Sequence, residues 1–168
     1  MIRPGGEGPD GCGRAGAGDI GRGTCERPLA REMLDQLHVF DGRDLGRTLR
    51  EHLTAWSGRT GVGLEIWALP TRDVPAARAK AVYAIIAEAV ANVEAHSGAR
   101  TVSVAVTSGD TALSFTVRDD GRGFAPEHRT GGRGLARMKA HAAALGGDLR
   151  VGTAPGRGTT ISGVVPLR

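Results

Sequence analysis

A carboxylate, an amide and an imidazole recur at four-residue intervals near the middle of the chain. Glu88 and Asn92 interrupt residues 79–93, a run that is otherwise apolar almost all round, and His96 follows one helical turn later. At this spacing the three side chains lie on one stripe of an α-helix. Because a carboxylate and an amide are costly to bury unpaired, the stripe faces either a polar or metallic ligand or the solvent, and the helix alone leaves both open. Glu94, on another face, is interpreted as an ordinary solvent-exposed residue.

An acidic, glycine-containing segment follows a predicted strand. In residues 119–124 (Asp-Asp-Gly-Arg-Gly-Phe), glycines at alternate positions let the backbone turn tightly and approach a ligand. The carboxylate at the strand end can accept a hydrogen bond from an exocyclic amine. The same pattern also occurs in plain turns. A calcium-binding EF-hand is excluded, because the later acidic ligands and the closing glutamate are absent.

Two further glycine-rich segments lie next to predicted elements. Residues 131–135 (Gly-Gly-Arg-Gly-Leu) open a predicted helix, whose unpaired N–H groups and dipole can cradle a phosphate. The segment lacks the Lys-Ser/Thr end of a Walker loop and the spacing of a Rossmann fingerprint, so a phosphate site would need another fold. Residues 156–160 (Gly-Arg-Gly-Thr-Thr) precede the last predicted strand and by themselves indicate a β-hairpin turn.

The elements that must position these segments combine helices with short strands. One helix is predicted to begin at the N-cap Asp44 and to be stopped by Gly58 and Gly61. Pro75 opens the longest predicted helix, which extends to about His96. The remaining predicted elements are strands 62–68, 101–107, 112–118, 148–153 and 159–165, and a helix with Leu135, Met138, Ala142 and Leu145 on one face before Gly146-Gly147. Together they predict the α/β class, an α+β two-layer sandwich with one mixed sheet of about five strands and helices on one face.

Composition excludes several classes of protein. The 168 residues, with 24% charged and 40% hydrophobic content, suit one soluble globular domain. No run approaches the roughly 18 apolar residues of a membrane span, and the start lacks a secretory apolar region, so we expect no membrane insertion and a cytoplasmic location. The basic residues are scattered despite a pI near 9.8, so nucleic acid is not an expected partner. Cys12 and Cys25 have no metal-site spacing.

Glycine is unusually abundant and unevenly placed. Of 27 glycines, nine lie in the first 23 residues and ten lie between Gly121 and Gly158. The first block has almost no apolar periodicity, so residues 1–25 are predicted to be a flexible tail. A weak helical pattern makes residues 26–44 a helical lead-in, and residues 45–168 are the predicted functional domain.

The four segments in this order resemble the ATP-binding domain of the superfamily that joins DNA gyrase, heat-shock chaperones, sensor histidine kinases and mismatch-repair ATPases. Residues 85–99, 117–124 and 132–147 are most similar to the sensor histidine kinases, in the subfamily whose catalytic domains pair with LuxR-type response regulators. The resemblance covers about residues 45–167. It implies a Bergerat-type ATP-binding fold, with ATP and Mg²⁺ as cofactors.

The resemblance also implies roles for individual residues. Asn92 would ligate the Mg²⁺ that bridges the ATP phosphates, and Glu88 would hold a metal-bound water or act as the catalytic base that primes the acceptor histidine. Asp119 would accept from the adenine amino group, with Gly121 and Gly123 letting the ring lie against the backbone. The other implied cofactor-binding residues are Gly132 and Gly134 in the phosphate-covering lid, Arg133, Leu135 at the following helix, Thr159 beside the adenine and His96 near the phosphates.

Some positions depart from the resembled pattern. Ala95 replaces a usual basic residue, and Arg137 and Ala140 replace a usual glycine and glutamate in the lid helix. Arg133 or Arg137 can supply the missing charge. The segment between Gly123 and Gly132 is short, unlike the larger lids of gyrase or the chaperones, which favours a kinase.

No dimerisation segment with a phosphoacceptor histidine is recognisable, since His38 and His52 lack a following acidic residue. We therefore expect a split kinase that phosphorylates a separate histidine-containing phosphotransfer or dimerisation protein, which then supplies a response regulator. Two alternatives share the ATP site: an anti-sigma-factor serine kinase, and a non-catalytic ATP-binding regulatory module.

Overall fold

The computed structural model describes residues 44–125 and 133–168. The tail, the lead-in up to residue 43, and Gly132 lie outside these residues. The described elements in chain order are α1 (Leu45–Thr60), β1 (Gly63–Ala68), α2 (Ala76–Asn92) with a π-helical turn (Val93–Ser97), β2 (Thr101–Ser108), β3 (Ala112–Asp119), α3 (Arg133–Ala143), β4 (Asp148–Thr153) and β5 (Thr159–Pro166).

The five strands form one mixed sheet in the order β1-β2-β3-β5-β4. The first two strands are parallel and the other pairs are antiparallel. The predicted hairpin is present, with Ser108 opposite Leu113 and Val104 opposite Val117. The fold class, strand number and mixed sheet are thus as predicted.

One face of the sheet packs against the helices. Alternate residues of the central strands are buried, because successive side chains point to opposite faces of a strand. The buried positions include Val102, Val104 and Val106 on β2, and Leu113, Phe115 and Val117 on β3. They share a core with the apolar side of α2, including Ile85, Ile86 and Val90. Asp119 is two residues beyond Val117, so the same alternation directs its carboxylate to the core side.

Two helix ends differ from the predictions. The side chain of Asp44 caps α1 by accepting from the N–H of Arg47 at 3.0 Å, but α1 continues through Gly58 and ends at Gly61, which has φ of 73°. A helical glycine costs about 1 kcal/mol relative to alanine, and the buried contacts of Leu53 and Trp56 offset this, so the predicted stop at Gly58 was wrong.

The last helix ends earlier than its apolar pattern indicated. α3 stops at Ala143, and Leu145 lies in the following turn, where it packs against the core without being helical. The turn is closed by the N–H of Gly147, which donates to the carbonyl of Ala142 at 2.9 Å.

Across the described ranges, no helix has both the length and the apolarity needed to cross a bilayer.

Candidate functional site

A pocket of about 450 Å³ lies between α2 and α3, at the end of the sheet where β3 finishes and β5 begins. Its volume is in the range of small-molecule sites. Nine of the predicted site residues line it: Glu88, Asn92, His96, Asp119, Gly123, Arg133, Gly134, Leu135 and Thr159. The four sequence segments therefore meet at one place, although they are distributed over more than seventy positions of the chain.

The polar stripe of α2 faces this pocket. Glu88 and Asn92 are half-buried, and His96 is exposed at the end of the stripe. The other sides of α2 carry the apolar residues of the core, so the helix presents its polar residues to the cavity. The stripe is therefore not simply a face in contact with bulk solvent: all three of its side chains line the pocket.

The end of α2 widens into the π-helical turn Val93–Ser97, which the sequence did not indicate. π-helical turns are often found at functional sites. Ser97 holds this turn in place: its hydroxyl donates to the carbonyl of Val93 at 2.9 Å and accepts from the N–H of Ala99 at 3.0 Å. The N–H of Arg122 donates to the Ser97 carbonyl at 2.9 Å. These bonds tie the end of α2 to the loop after Asp119.

Glu94 is not an ordinary solvent-exposed residue. Its carboxylate makes a two-pronged pair with Arg59 in the last turn of α1, with distances of 3.1 and 3.3 Å. Because Glu94 lies within the π-helical turn, this pair links α1 to the pocket wall. The partners are 35 positions apart in the chain, and no local pattern indicates the pairing.

Asp119 is a buried carboxylate at the pocket wall, with 5% of its surface exposed. The N–H of Gly121 donates to its Oδ1 at 2.9 Å. Burial raises the pKa of Asp119, and bonds from the backbone N–H groups of Gly121 and Thr159 oppose that rise in part. An ionised carboxylate has about four acceptor sites, so Asp119 retains capacity for an amine donor of a ligand.

Asp120, the adjacent residue, has a structural role instead. It points away from the pocket, where its Oδ1 accepts from the N–H groups of Arg100 at 2.8 Å and Thr101 at 2.9 Å. These bonds lower the pKa of Asp120. The sequence presents two neighbouring carboxylates, and the fold assigns one to the pocket and one to the anchoring of the loop.

Two glycines allow close approach of main chain and side chains. A Cβ at Gly134 would lie 2.6 Å from Oε1 of Glu88 and 2.9 Å from Nδ2 of Asn92. A Cβ at Gly121 would lie 2.6 Å from the carbonyl oxygen of Ser97. Gly121 is buried against Ser97 behind the pocket lining, so it supports the wall.

Sequence reasoning did not identify the apolar lining. Most of these side chains lie one helical turn or two strand positions from a predicted polar residue, and Phe124 directly follows Gly123; that spacing is the signal that could have found them. They are Ala89, Val93, Val117, Phe124 and Ile161, with Ser97 beside them.

The donor set near Glu88 and Asn92 suits a magnesium ion held mainly by a substrate. Within residues 44–125 and 133–168 no three His, Cys, Asp or Glu side chains cluster as a metal site. Mg²⁺ commonly takes only one or two protein oxygen ligands and completes its shell with phosphates and water. One carboxylate and one amide a helical turn apart meet that requirement. The space kept free by Gly134, which a Cβ would fill, lies beside both.

Residues 77–168 match the family model described as histidine kinase-, DNA gyrase B-, and HSP90-like ATPase. The chain belongs to this family. The chain is 29% identical to the signal transduction histidine-protein kinase/phosphatase DegS of Brevibacillus brevis over 83% of its own length and 35% of that protein. It is 34% identical to the nitrate/nitrite sensor protein NarQ of Escherichia coli over 79% of this chain and 24% of that protein.

The solved structures agree on the fold of the ATPase domain. The histidine kinase domain of a blue-light activated histidine kinase from Erythrobacter litoralis superposes with a TM-score of 0.66 at 24% identity, covering 83% of this chain and 78% of that one. The homologues are sensor histidine kinases, and family membership supports ATP as the ligand. The chain spans about a third or less of the length of the curated relatives named above.

Proposed function

We propose that this domain binds Mg²⁺-ATP and transfers the γ-phosphoryl group to a histidine outside the domain, within a two-component phosphorelay that ends on a response-regulator aspartate. The observation that carries the proposal is the convergence of Glu88, Asn92 and Asp119 with the start of α3 on one pocket. Asp119 suits the adenine, and Glu88, Asn92 and the start of α3 suit the phosphates with their metal ion.

The end of the pocket near β3 suits the adenine. Asp119 is positioned to accept a hydrogen bond from the exocyclic amine, and its buried setting strengthens that bond because little water competes there. Val117 and Ile161 supply apolar walls for the ring, and Thr159 adds a hydroxyl at the same end. Gly123 brings backbone to the pocket surface.

The end between α2 and α3 suits the phosphates. The first N–H groups of α3 have no helical partner, and together with the helix dipole they favour an anion. Arg133, the first residue of α3, also lines the pocket, as does His96 in the π-helical turn. Asn92 and Glu88 would hold Mg²⁺, which when bound neutralises part of the phosphate charge. Glu88 is also placed to accept a proton from the acceptor imidazole.

Two of the described histidines, His52 and His141, lie outside the pocket lining, which favours a phosphoacceptor histidine outside the described residues. His52 is half-buried, with its Nδ1 3.2 Å from the hydroxyl of Tyr83, and burial together with the charge of Arg59 lowers the pKa of His52. His96 belongs to the pocket lining. His141 is eight residues beyond Arg133, or about 12 Å along α3. A histidine-containing phosphotransfer or dimerisation protein would then supply the acceptor.

Incubation with γ-labelled ATP tests the proposal. The chain alone should acquire little stable label, whereas a cognate histidine-containing protein should be labelled strongly, with acid-labile and base-stable phosphate. Asn92→Ala should abolish the labelling, and Arg150→Ala, an exposed residue of β4, should leave it unchanged. Labelling that survives Asn92→Ala would contradict the role given to Asn92. Acid-stable phosphate on the partner would indicate a serine kinase, and ATP binding without transfer would indicate a regulatory module.

A further inference from the structure

A second arginine of α3 lies beside the carboxylate of α2. Nη1 of Arg137 is 3.9 Å from Oε2 of Glu88, with 61% of the arginine side chain and 26% of the glutamate side chain exposed. Arg137 is one helical turn after Arg133, which lines the pocket. Because residues four apart share a face of a helix, the two arginines form a cationic stripe on α3.

This stripe opposes the polar stripe of α2. Gly134, between the two arginines, is in contact with Glu88 and Asn92, so the two helices meet along these faces. The result is a cleft with cations on one wall and a carboxylate and an amide on the other. A bound anion together with a divalent cation would match both walls.

Position along α2 indicates which part of a nucleotide reaches Arg137. The adenine end of the pocket is at Ser97, where Gly121 joins Ser97 to Asp119. Glu88 is nine residues earlier, or about 13 Å along the helix axis. The pair formed by Glu88 and Arg137 therefore lies at the end of the cleft farthest from Asp119, where the terminal phosphate of a bound ATP would lie.

The pair with Glu88 is weak enough to be exchanged. At 3.9 Å the two groups are too far apart for a hydrogen bond, and ion pairs between exposed side chains contribute little to stability. A guanidinium binds phosphate oxygens through two parallel hydrogen bonds, which is a stronger interaction. A terminal phosphate arriving at this end would therefore take the guanidinium from the carboxylate.

We propose that Arg137 is a further nucleotide-binding residue, which pairs with Glu88 in this structure and moves to the terminal phosphate when ATP binds. The inference rests on the proposed function and refines it. Arg137 would make the pocket prefer ATP over ADP. Its departure would also leave the Glu88 carboxylate free for the acceptor imidazole.

Equilibrium binding tests the inference. ATP, ADP and adenosine are titrated into the full chain, as wild type and as Arg137→Ala, Arg137→Lys and Lys139→Ala. The last variant removes an exposed cation two residues after Arg137, which therefore lies on a different face of the same helix. Arg137→Ala should weaken ATP about tenfold or more and ADP or adenosine by less than about threefold. Arg137→Lys should restore part of the loss, and Lys139→Ala should match the wild type.

Several outcomes would overturn the inference. Equal losses of affinity for ATP and ADP in Arg137→Ala would show a general effect on charge or on folding. Melting curves of Arg137→Gln would identify an effect on folding. Tighter ATP binding in Arg137→Ala would show that the pair with Glu88 opposes the nucleotide. Failure of the wild-type chain to bind ATP would overturn the proposed function as well. If the wild type binds ATP and Arg137→Ala leaves the ratio of the ATP and ADP dissociation constants unchanged, this inference alone is overturned.

Discussion

Replacing Gly134 by alanine adds one methyl group where α3 starts against the carboxylate and amide of α2. The new Cβ would lie 2.6 Å from Oε1 of Glu88, and ordinary van der Waals contact begins near 3.4 Å, so the groups must separate by about 0.8 Å. Oε1 is the far end of a flexible side chain and can move away at little cost in stability. A displacement approaching 1 Å at a reacting group lowers rates by up to about 100-fold.

Function and stability should therefore separate in Gly134→Ala. Phosphoryl transfer to the partner histidine should fall by about 10- to 100-fold, while the melting temperature stays within about 4 °C of the wild type, because alanine is a better helix former than glycine. Transfer is measured with γ-labelled ATP, and stability by thermal unfolding without nucleotide.

Gly58→Ala is the matched control for this variant. Gly58 is also helical, but a Cβ there would meet nothing within 4 Å. This substitution should raise the free energy of unfolding by about 0.5–1 kcal/mol and leave transfer unchanged. A wild-type transfer rate in Gly134→Ala would refute the close approach of α3 to Glu88 in the active state. A rate loss accompanied by a fall of more than about 8 °C in melting temperature would show that the fold itself is damaged.

Two further predictions concern charges around the pocket. Asp119→Asn should weaken ATP binding about tenfold or more in titrations at neutral pH, because the adenine amine loses a charged acceptor. Burial raises the pKa of Asp119, so its ionised form opposes folding. The free energy of unfolding of Asp119→Asn should therefore exceed that of the wild type, and the difference should grow as the pH rises through the raised pKa. The difference should vanish below the ordinary pKa of 3.8. The second prediction concerns the ion pair of Arg59 and Glu94. A double-mutant cycle of Arg59→Gln and Glu94→Gln, measured by denaturant unfolding, should give a coupling free energy of about 0.2–1 kcal/mol between the two side chains. This coupling free energy should decrease with added salt, because both side chains are partly exposed. A gain for Asp119→Asn that persists at pH 3, or a salt-independent coupling, would contradict these assignments.

Much of the architecture was predictable from local pattern. The strands at 101–108 and 112–119 were recognisable because alternating apolar residues flank a short glycine-containing turn. The long apolar helix was equally clear, since its core residues recur at helical spacing. Boundaries were less accurate at Gly58 and Leu145. There, packing against the core overrides the preference of the single residue.

The candidate site was partly predictable for the same reason. Asn92, Asp119 and Gly134 were found because each lies in a short segment with a recognisable residue order. The π-helical turn was not found, because part of what holds it is a hydrogen bond that the N–H of the distant Arg122 donates to the carbonyl of Ser97. The pairing of Arg59 with Glu94 was missed because it joins two helices that no sequence pattern relates.

By itself, the sequence determined which chemical groups this protein has and the order in which they occur. Helical and strand periodicities also determined which residues share a face, since those periodicities depend only on neighbours along the chain. Tertiary packing decided what each face meets. It turned the stripe of Glu88 and Asn92 toward a cavity, separated Asp119 from Asp120, and brought Arg137 to Glu88. Such contacts depend on how helices and strands dock over long sequence separations, and short-range patterns contain no information about that docking.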